Sequence, residues 1–541
     1  MTVPDVTHGL RREARIISLL FASTTSMIGS GWLFGALHAA KIAGPLSLWS
    51  WIIGGIIIML IALCFAELAA LFPRAGALVH MSHASHGDGL GRIWGWMLFL
   101  SYIAVPSVEA ESIVTYANNL YPHFLQAGNS GVLTSLGFLA CAVLVGVFAL
   151  FNLLAIRWLL AINNTITWWK IAVPLLTAII LIFAGMHQMG PLWQAHDSSV
   201  WHAASSSYDP NGVFIALPAA GIVFSYLGFR TAIDLGGESA NPGRNIPLAV
   251  IGSVLLAGGI YILLQLGFLY SVKPQDVVNG WGNINFPGVK GPFAGLAAML
   301  GFTWLATLLY IDAAISPAGT GLIYVTGGSR ILFANGEMKA GPQFLTKLNS
   351  AQVPWVSVGL MWVIGVLFLL PFPAWQKMVD YISDITALTY GLGPIVLLIL
   401  RRDHPDLHRS FRLGAAGILA PLAFVCCDLI ILWSGFVTVT WLFGIVFVIF
   451  ALYLIYYFLI AHQSSADFGW SHIWWLGVWF VGMWIISALS GKDLGGNGTM
   501  GFWTAVVVTT IWSLVVIELA KRSALPAEQT AKILAAIERT M

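Results

Sequence analysis

Thr24-Thr25-Ser26-Met27-Ile28-Gly29-Ser30-Gly31-Trp32 lies midway along the first apolar stretch of the chain. Two glycines around a serine weaken a helix at bilayer mid-depth. Backbone freed there must line a cavity, because hydrocarbon cannot satisfy its polar groups. A matching weakness, Phe224-Ser225-Tyr226-Leu227-Gly228-Phe229, falls in the sixth apolar stretch. Five spans separate the two starting points, and five is odd, so the two halves enter the membrane from opposite sides. Paired interruptions in inverted halves point to a transporter binding site. The competing reading, glycines that only allow close helix packing, explains either break alone better than it explains the pair.

Composition agrees with a membrane-embedded body. Of the 541 residues 58% are hydrophobic and 9% charged, whereas a soluble domain is roughly 25% charged. Disorder is excluded by 24 Trp, 31 Phe and 14 Tyr. A net charge of +2 without a basic tract leaves no footprint for nucleic acid. Cys64, Cys141, Cys426 and Cys427 lie in apolar runs, which argues against a disulfide framework or a zinc site. The polar start, with Arg11, Arg12 and Arg15, leads into a full-length apolar span, so the first helix is read as uncleaved.

A membrane-crossing helix needs about 20 apolar residues. Such runs fall near 17–42, 45–72, 90–120, 131–156, 160–186, 212–235, 247–271, 293–329, 353–371, 376–400, 414–437, 439–461, 473–491 and 502–520, fourteen in all. With the N-terminus inside, eighteen of the 25 Lys and Arg are cytoplasmic, among them Arg74, Arg92, Arg157, Arg244, Arg330, Arg401 and Lys521. Five (Lys41, Lys273, Lys290, Lys377, Lys492) are outside, and Lys170 and Arg230 fall within helices. This bias sets the orientation, with both termini cytoplasmic. The organisation expected is a cytoplasmic segment 1–16, a first repeat 17–186 and a second repeat 212–400. Appended helices follow over 414–520, then a C-terminal segment 521–541. That last segment, with Pro526, Ile533, Leu534 and Ile537, reads as an amphipathic lid or anchor.

Six ordered motifs carry a resemblance. They are the helix 1 Gly29-Ser30-Gly31 turn, Glu67 to Gly76 (ELAALFPRAG), and Asn163 to Pro174 (NNTITWWKIAVP). Glu238 to Pro247 (ESANPGRNIP), Ser316-Pro317 through Arg330, and Arg401 to Arg412 (RRDHPDLHRSFR) follow. The sequence resembles the amino acid–polyamine–organocation permeases over roughly residues 15–415. The resemblance implies an all-α polytopic membrane protein with the five-plus-five inverted repeat of the leucine transporter and helices 11–14 appended. A plasma-membrane location follows from the same likeness.

Amino acid recognition needs donors for a carboxylate and acceptors for an ammonium. The N–H groups of Ser30 and Gly31, at the N-terminus of an outer half-helix, favour an anion. The carbonyls of Thr25 and Ser26 end the inner half and face a cation. The resemblance places the substrate carboxylate at Gly29–Gly31, beside Ile28. It places the amino group between the helix 1 carbonyls and those near Phe224, Ser225 and Tyr226. Gly228, Phe229 and Arg230, next along the same stretch, are counted as candidate substrate-binding residues from their position. Tyr226, Phe229 and Trp32 are read either as gating aromatics or as packing.

A lysine as deep as Lys170 is expensive unless functional. In matching permeases the helix 5 lysine takes the place of a sodium ion and takes up the coupled proton; the bland alternative is a lysine snorkelling to the interface. Asp312 and Ser316, four apart on one helical face, are read as its partners, Asp312 as a direct ion pair. Arg230 departs from the family pattern. It either reads an acidic substrate side chain bidentately or pairs with Glu109, Glu111 or Asp234 in a buried charge network. Asp380 and Asp384 are read as solvated mouth residues. His187, His196 and His202 are read as outer-loop residues, and Asn497-Gly498-Thr499 as a sequon in another outer loop.

No P-loop, H-E-x-x-H or G-x-S-x-G appears, so no enzyme is expected, and neither a metal nor a cofactor. These readings converge on a secondary active transporter importing an amino acid, with a proton as coupling ion. The alternatives are an antiporter exchanging the amino acid for its metabolite or a polyamine, and a membrane amino acid sensor.

Overall fold

The computed structural model describes residues 14–72, 77–126, 131–154, 156–189, 209–277, 279–284, 291–370 and 374–539. Arg11, Arg12, Arg74, Lys290, His196 and His202 lie outside the described residues, as do the side chains of Arg157 and His187.

The first apolar stretch forms two helices, α1 (Ile16–Met27) and α2 (Ser30–Ala43), separated at Ile28 and Gly29. Next come α3 (Ser47–Leu71), α4 (Ala77–Ala117), α5 (Ser135–Phe151) and α6 (Ile156–Met189). In α4 the chain turns at Gly87, whose φ of 81° is left-handed, so a short entry helix precedes the span proper.

The second half opens with α7 (Gly212–Ala219), α8 (Ile222–Tyr226), a 3-10 turn over Leu227–Arg230 and α9 (Thr231–Asp234). The α7 and α8–α9 segments meet at 58°. The sharp bend lies at Gly221 (φ 76°), ahead of the Phe224–Phe229 stretch expected from the sequence; that stretch holds the 3-10 turn instead. Then come α10 (Pro242–Ser271), α11 (Pro292–Met299), α12 (Thr303–Glu337), α13 (Trp355–Phe368) and α14 (Trp375–Asp403). After them stand α15 (Ala416–Trp433), α16 (Phe436–Ile455), α17 (Trp474–Leu489), α18 (Phe502–Ser523) and α19 (Ala527–Arg539).

Each of the fourteen expected intervals holds a helix. Among the described residues, however, nine helices are long and apolar enough to cross a membrane, or ten with the bent pair. Ile16–Met27, Ser135–Phe151, Trp355–Phe368 and Trp474–Leu489 are apolar but shorter. Fourteen is therefore the number of helical intervals, not of helices meeting the length requirement.

At the centre α4 packs on α12 and α14, while α1 packs on α10, α6 and α12. The quoted motifs meet in pairs at the ends of these helices. Glu67, fully buried at the end of α3, accepts from Arg401 Nε at 2.9 Å and Nη2 at 2.6 Å, and from the Leu413 N–H at 2.7 Å. Arg409 approaches the same carboxylate at 2.9 Å. Arg330 Nε donates to Glu238 at 3.1 Å, both groups being buried. The Ala14 N–H bonds the Glu238 carbonyl, so the segment before α1 lies beside that loop.

Among the appended helices, Asp428 of α15 accepts from Trp479 of α17 at 2.9 Å and Ser513 of α18 at 2.6 Å, which ties three helices through one buried carboxylate. Asp384 is also buried and accepts from Ser434, whose hydroxyl follows α15. This corrects its reading as a solvated mouth residue: the appended helices cover it.

Candidate functional site

The break in the first span is built from hydrogen bonds that cannot continue a helix. The Ile28 N–H still reaches the Thr24 carbonyl at 3.0 Å, but the Gly29 N–H turns back to Met27 at 2.9 Å. Helix α2 then starts afresh with free N–H groups at its N-terminus. One of them, the Ser30 N–H, donates to Glu109 Oε2 at 2.8 Å. The anion-favouring end expected at Gly29–Gly31 thus holds a carboxylate of the protein itself. The approach needs glycine: a Cβ on Gly29 would overlap Glu109 Oε1 and lie 2.7 Å from Thr320 Oγ1.

The cation at the end of α1 is Lys170. Its Nζ donates to the Thr25 carbonyl at 2.8 Å, the Ser316 carbonyl at 2.6 Å and Thr320 Oγ1 at 2.8 Å. Three donors meet three acceptors, which satisfies a fully buried ammonium. Thr320 Oγ1 in turn donates to the Thr25 carbonyl at 2.7 Å. Lys170 therefore fastens α1 to α12.

The expected direct ion pair of Lys170 with Asp312 is not formed. Asp312 Oδ1 accepts from Trp169 Nε1 and Ser316 Oγ, both at 2.7 Å. Ser316 thus serves both partners, its carbonyl facing Lys170 and its hydroxyl facing Asp312.

The second break is locked to the first. Tyr261 Oη of α10 lies 2.7 Å from the Met27 carbonyl and 3.0 Å from the Ser225 carbonyl, bridging the two interruptions. Ser26 Oγ lies 2.7 Å from Thr231 Oγ1. Gly228 backs directly onto α1, where a Cβ would sit 2.5 Å from the Met27 nitrogen and from the Ser26 carbonyl carbon. Small residues let these two broken segments cross with backbones in contact.

Arg230 is wholly buried beneath the second break. It donates to Ser101 Oγ at 2.8 Å and to the Ser101 carbonyl at 2.9 Å, and its guanidinium lies 3.7 Å from the Tyr102 ring centroid. Tyr324 and Tyr390 each stand at 5.6 Å, completing an aromatic box. The expected pairing with Glu109, Glu111 or Asp234 is not made: Tyr102 Oη donates to Asp234, so Arg230 and Asp234 are joined only through that tyrosine. Glu111 is fully buried on the same helix as Glu109 but is not an Arg230 partner.

Besides Tyr261, the aromatics Phe224 and Trp375 stand at the first break. Trp375 Nε1 donates to Ser30 Oγ at 2.9 Å, and Phe224 stands edge-on to the indole at 6.3 Å. Tyr226 turns away toward Trp51 and Tyr261, and Phe229 packs on Phe65 and Tyr390. Of the two readings of Tyr226 and Phe229, gate or packing, these neighbours are those of the packing one. Trp32 packs against Phe293 at 5.5 Å. Thr320, Tyr261 and Trp375 are site residues that sequence reasoning misses. Thr320 has a usable signal, since Asp312, Ser316 and Thr320 repeat every four residues along one helical face. No local pattern marks the other two.

The profile of the amino acid permease family matches residues 15–486. The glutamate/serine transporter AimA of Bacillus subtilis (strain 168) is 37% identical over 79% of this chain and 78% of its own. The aspartate-proton symporter of the same organism is 32% identical over 82% of this chain and 83% of its own. Among solved structures, a mutant of the Eremococcus coleocola manganese transporter superposes with a TM-score of 0.53 at 15% identity, covering 93% of this chain and 95% of that one. That likeness establishes the architecture, a leucine-transporter-like fold. Family and fold are those of transporters, and the chain belongs to the amino acid permease family.

Proposed function

We propose that this protein imports an amino acid by alternating access, with a proton as coupling ion, across the plasma membrane and with both termini cytoplasmic. The observation that carries the reading is Lys170. Its ammonium bonds both the inner half of the first span and the α12 face at Ser316 and Thr320, so its charge strengthens a joint that the direct Thr320–Thr25 bond also makes. Loss of the proton weakens these bonds and so loosens α1 against α12. Asp312, held by Trp169 Nε1 and Ser316 Oγ, places a negative charge near Lys170 without bonding it.

The substrate α-carboxylate docks on the Ser30 and Gly31 N–H groups, where the dipole of α2 favours an anion. Its amino group faces the carbonyls around Phe224–Tyr226 and the end of α1. Arg230 is the cation an acidic side chain would meet, a role supported by relatives named for glutamate and aspartate.

Reconstitution tests this reading. Proteoliposomes are assayed for uptake of radiolabelled L-glutamate, L-aspartate and L-serine with and without an inwardly directed proton gradient. Gradient-stimulated accumulation is expected, and Lys170→Ala should bind substrate yet lose the stimulation. Accumulation indifferent to the gradient in the unmodified protein would remove proton coupling. Binding with no accumulation or counterflow would make the protein a sensor.

A further inference from the structure

Glu109 sits on the break itself. Its Oε2 takes the Ser30 N–H at 2.8 Å, and the whole side chain is buried. Its Oε1 lies against Gly29 and has no hydrogen-bond partner among the described residues. The nearby cation is committed elsewhere, since the three donors of Lys170 go to Thr25, Ser316 and Thr320. The hydrogen bond that holds the Glu109 carboxylate thus comes from the N-terminus of α2, the same group of N–H donors that a substrate α-carboxylate needs, with the Lys170 charge acting on it through space.

Two carboxylates cannot share one half-helix terminus in a site closed to water, because like charges at contact distance in a low-dielectric interior repel strongly. Resting on the reading of the break as the α-carboxylate site, we propose that Glu109 is an internal stand-in for the substrate carboxylate, displaced when an amino acid binds and protonated as it leaves. Binding then forms one O–H bond on a Glu109 carboxylate oxygen, with the proton drawn from water on the side of entry. No bond of the amino acid is made or broken. On release at the other face that O–H bond breaks, the proton passes to water there, and the carboxylate returns to the Ser30 N–H. The charge at the α2 terminus is the same before and after, and a proton crosses with each amino acid.

The titratable groups facing Glu109 are Lys170 from α6, Tyr261 from α10 and Tyr324 from α12, the last also facing Arg230 and Asp234. Glu111 follows two residues on along α4. Of these, Lys170 is the one cation; its hydrogen bonds go to α1 and α12, and its charge reaches Glu109 through space.

The test compares the full-length protein with Glu109→Gln in detergent, using L-serine as probe so that no side-chain charge enters. The amide introduced by the substitution keeps an acceptor for the Ser30 N–H but needs no proton to leave it. L-Serine affinity of the unmodified protein should weaken about tenfold for each pH unit on the alkaline limb, the signature of a single linked proton. Glu109→Gln should bind with no such slope. A pH-indicator dye in weak buffer should report about one proton taken up per L-serine bound. An infrared difference spectrum should show a new protonated-carboxyl band on L-serine addition.

A Glu109→Gln protein that retains the slope overturns the proposal. If that variant does not fold, the dye and infrared measurements on the unmodified protein decide, and binding without proton uptake or without the carboxyl band overturns it. Absence of binding of L-serine, L-glutamate and L-aspartate at every pH would instead remove the α-carboxylate reading on which the proposal stands.

Discussion

The Lys170 ammonium lies 2.8 Å from the Thr25 carbonyl oxygen, so the cation-seeking end of the inner half-helix is already occupied by the protein's own charge. A substrate amino group is therefore left the later carbonyls of α1 and those of the second break, where Tyr261 bridges Met27 and Ser225. Tyr261→Phe removes that bridge while keeping the ring that packs on Trp51 and Tyr226. It should cost about 1 kcal/mol of stability, the net value of a typical hydrogen bond. Substrate affinity should be affected more than the melting temperature, because the carbonyls left behind belong to the site. Isothermal titration alongside a thermal melt separates the two effects.

Thr320→Val tests the α1–α12 joint without touching a charge. The substitution deletes an acceptor of Lys170 and a donor to the Thr25 carbonyl while keeping the side-chain shape. Leaving buried polar groups unpaired costs about 1–3 kcal/mol. The variant should remain folded but shift the pH dependence of gradient-driven uptake in the same direction as Lys170→Ala, by a smaller amount. Uptake with an unchanged pH profile would confine Thr320 to a structural role.

Gly228→Ala should abolish transport through the backbone rather than through chemistry. The added methyl would stand 2.5 Å from the Met27 nitrogen, and a backbone atom at a helix crossing cannot swing aside as a flexible side chain can. Overpacking of this kind costs about 1–3 kcal/mol. The methyl also forces apart the two broken segments that must stay in register to form the site. Counterflow should fall to background while expression and detergent stability remain measurable. Counterflow at the level of the unmodified protein would show that the crossing can open by that distance without harm.

Much of this arrangement is legible in the chain because it rests on composition and spacing. The glycine pair of the first apolar span, the Gly228 stretch of the sixth, a lysine beside Trp168 and Trp169, and the spacing of Asp312 and Ser316 are local signals, and each marks a helix that the structure brings to the centre. The partners are less legible. Which carbonyl receives Lys170, and that Asp312 is held by Trp169, depend on how three helices rotate against one another. Arg230 shows the limit most clearly. Sequence spacing puts Asp234 one turn away and makes an ion pair plausible, yet rotation of the 3-10 turn over Leu227–Arg230 sends the guanidinium to Ser101 and interposes Tyr102. The bend at Gly221 escapes the sequence for a related reason: a single left-handed glycine breaks a helix as effectively as a cluster, but leaves no pattern to distinguish it from a packing glycine.

Glu67→Ala probes the clamp between α3 and the loop after α14. The carboxylate is fully buried and gathers Arg401, Arg409 and the Leu413 N–H. Removing one member of a buried, hydrogen-bonded pair typically costs about 3–5 kcal/mol, because the remaining charges are left uncompensated. Here both arginines retain some solvent access or carbonyl contacts, so the lower end is expected. Glu67→Gln, which keeps the acceptor and loses the charge, should recover part of the loss. A thermal melt of the three proteins in one detergent checks the order, and equal melting temperatures would show that the loop is held by its packing alone.

Arg230→Gln is the substitution that sorts substrates. The guanidinium is boxed by Tyr102, Tyr324 and Tyr390, and among the described residues its Nε is without a partner and no carboxylate neutralises it directly. A cation kept without a counter-charge in a buried site is costly unless a ligand supplies the charge. The variant should lose affinity for L-aspartate and L-glutamate by on the order of tenfold or more, as expected for loss of a charge-assisted contact, with L-serine much less affected. Thermal-shift titration of both proteins with all three amino acids reads the difference directly, since ligand raises stability by mass action. An equal loss for all three would assign Arg230 to holding α4 against the second break through Ser101, with no part in choosing the substrate.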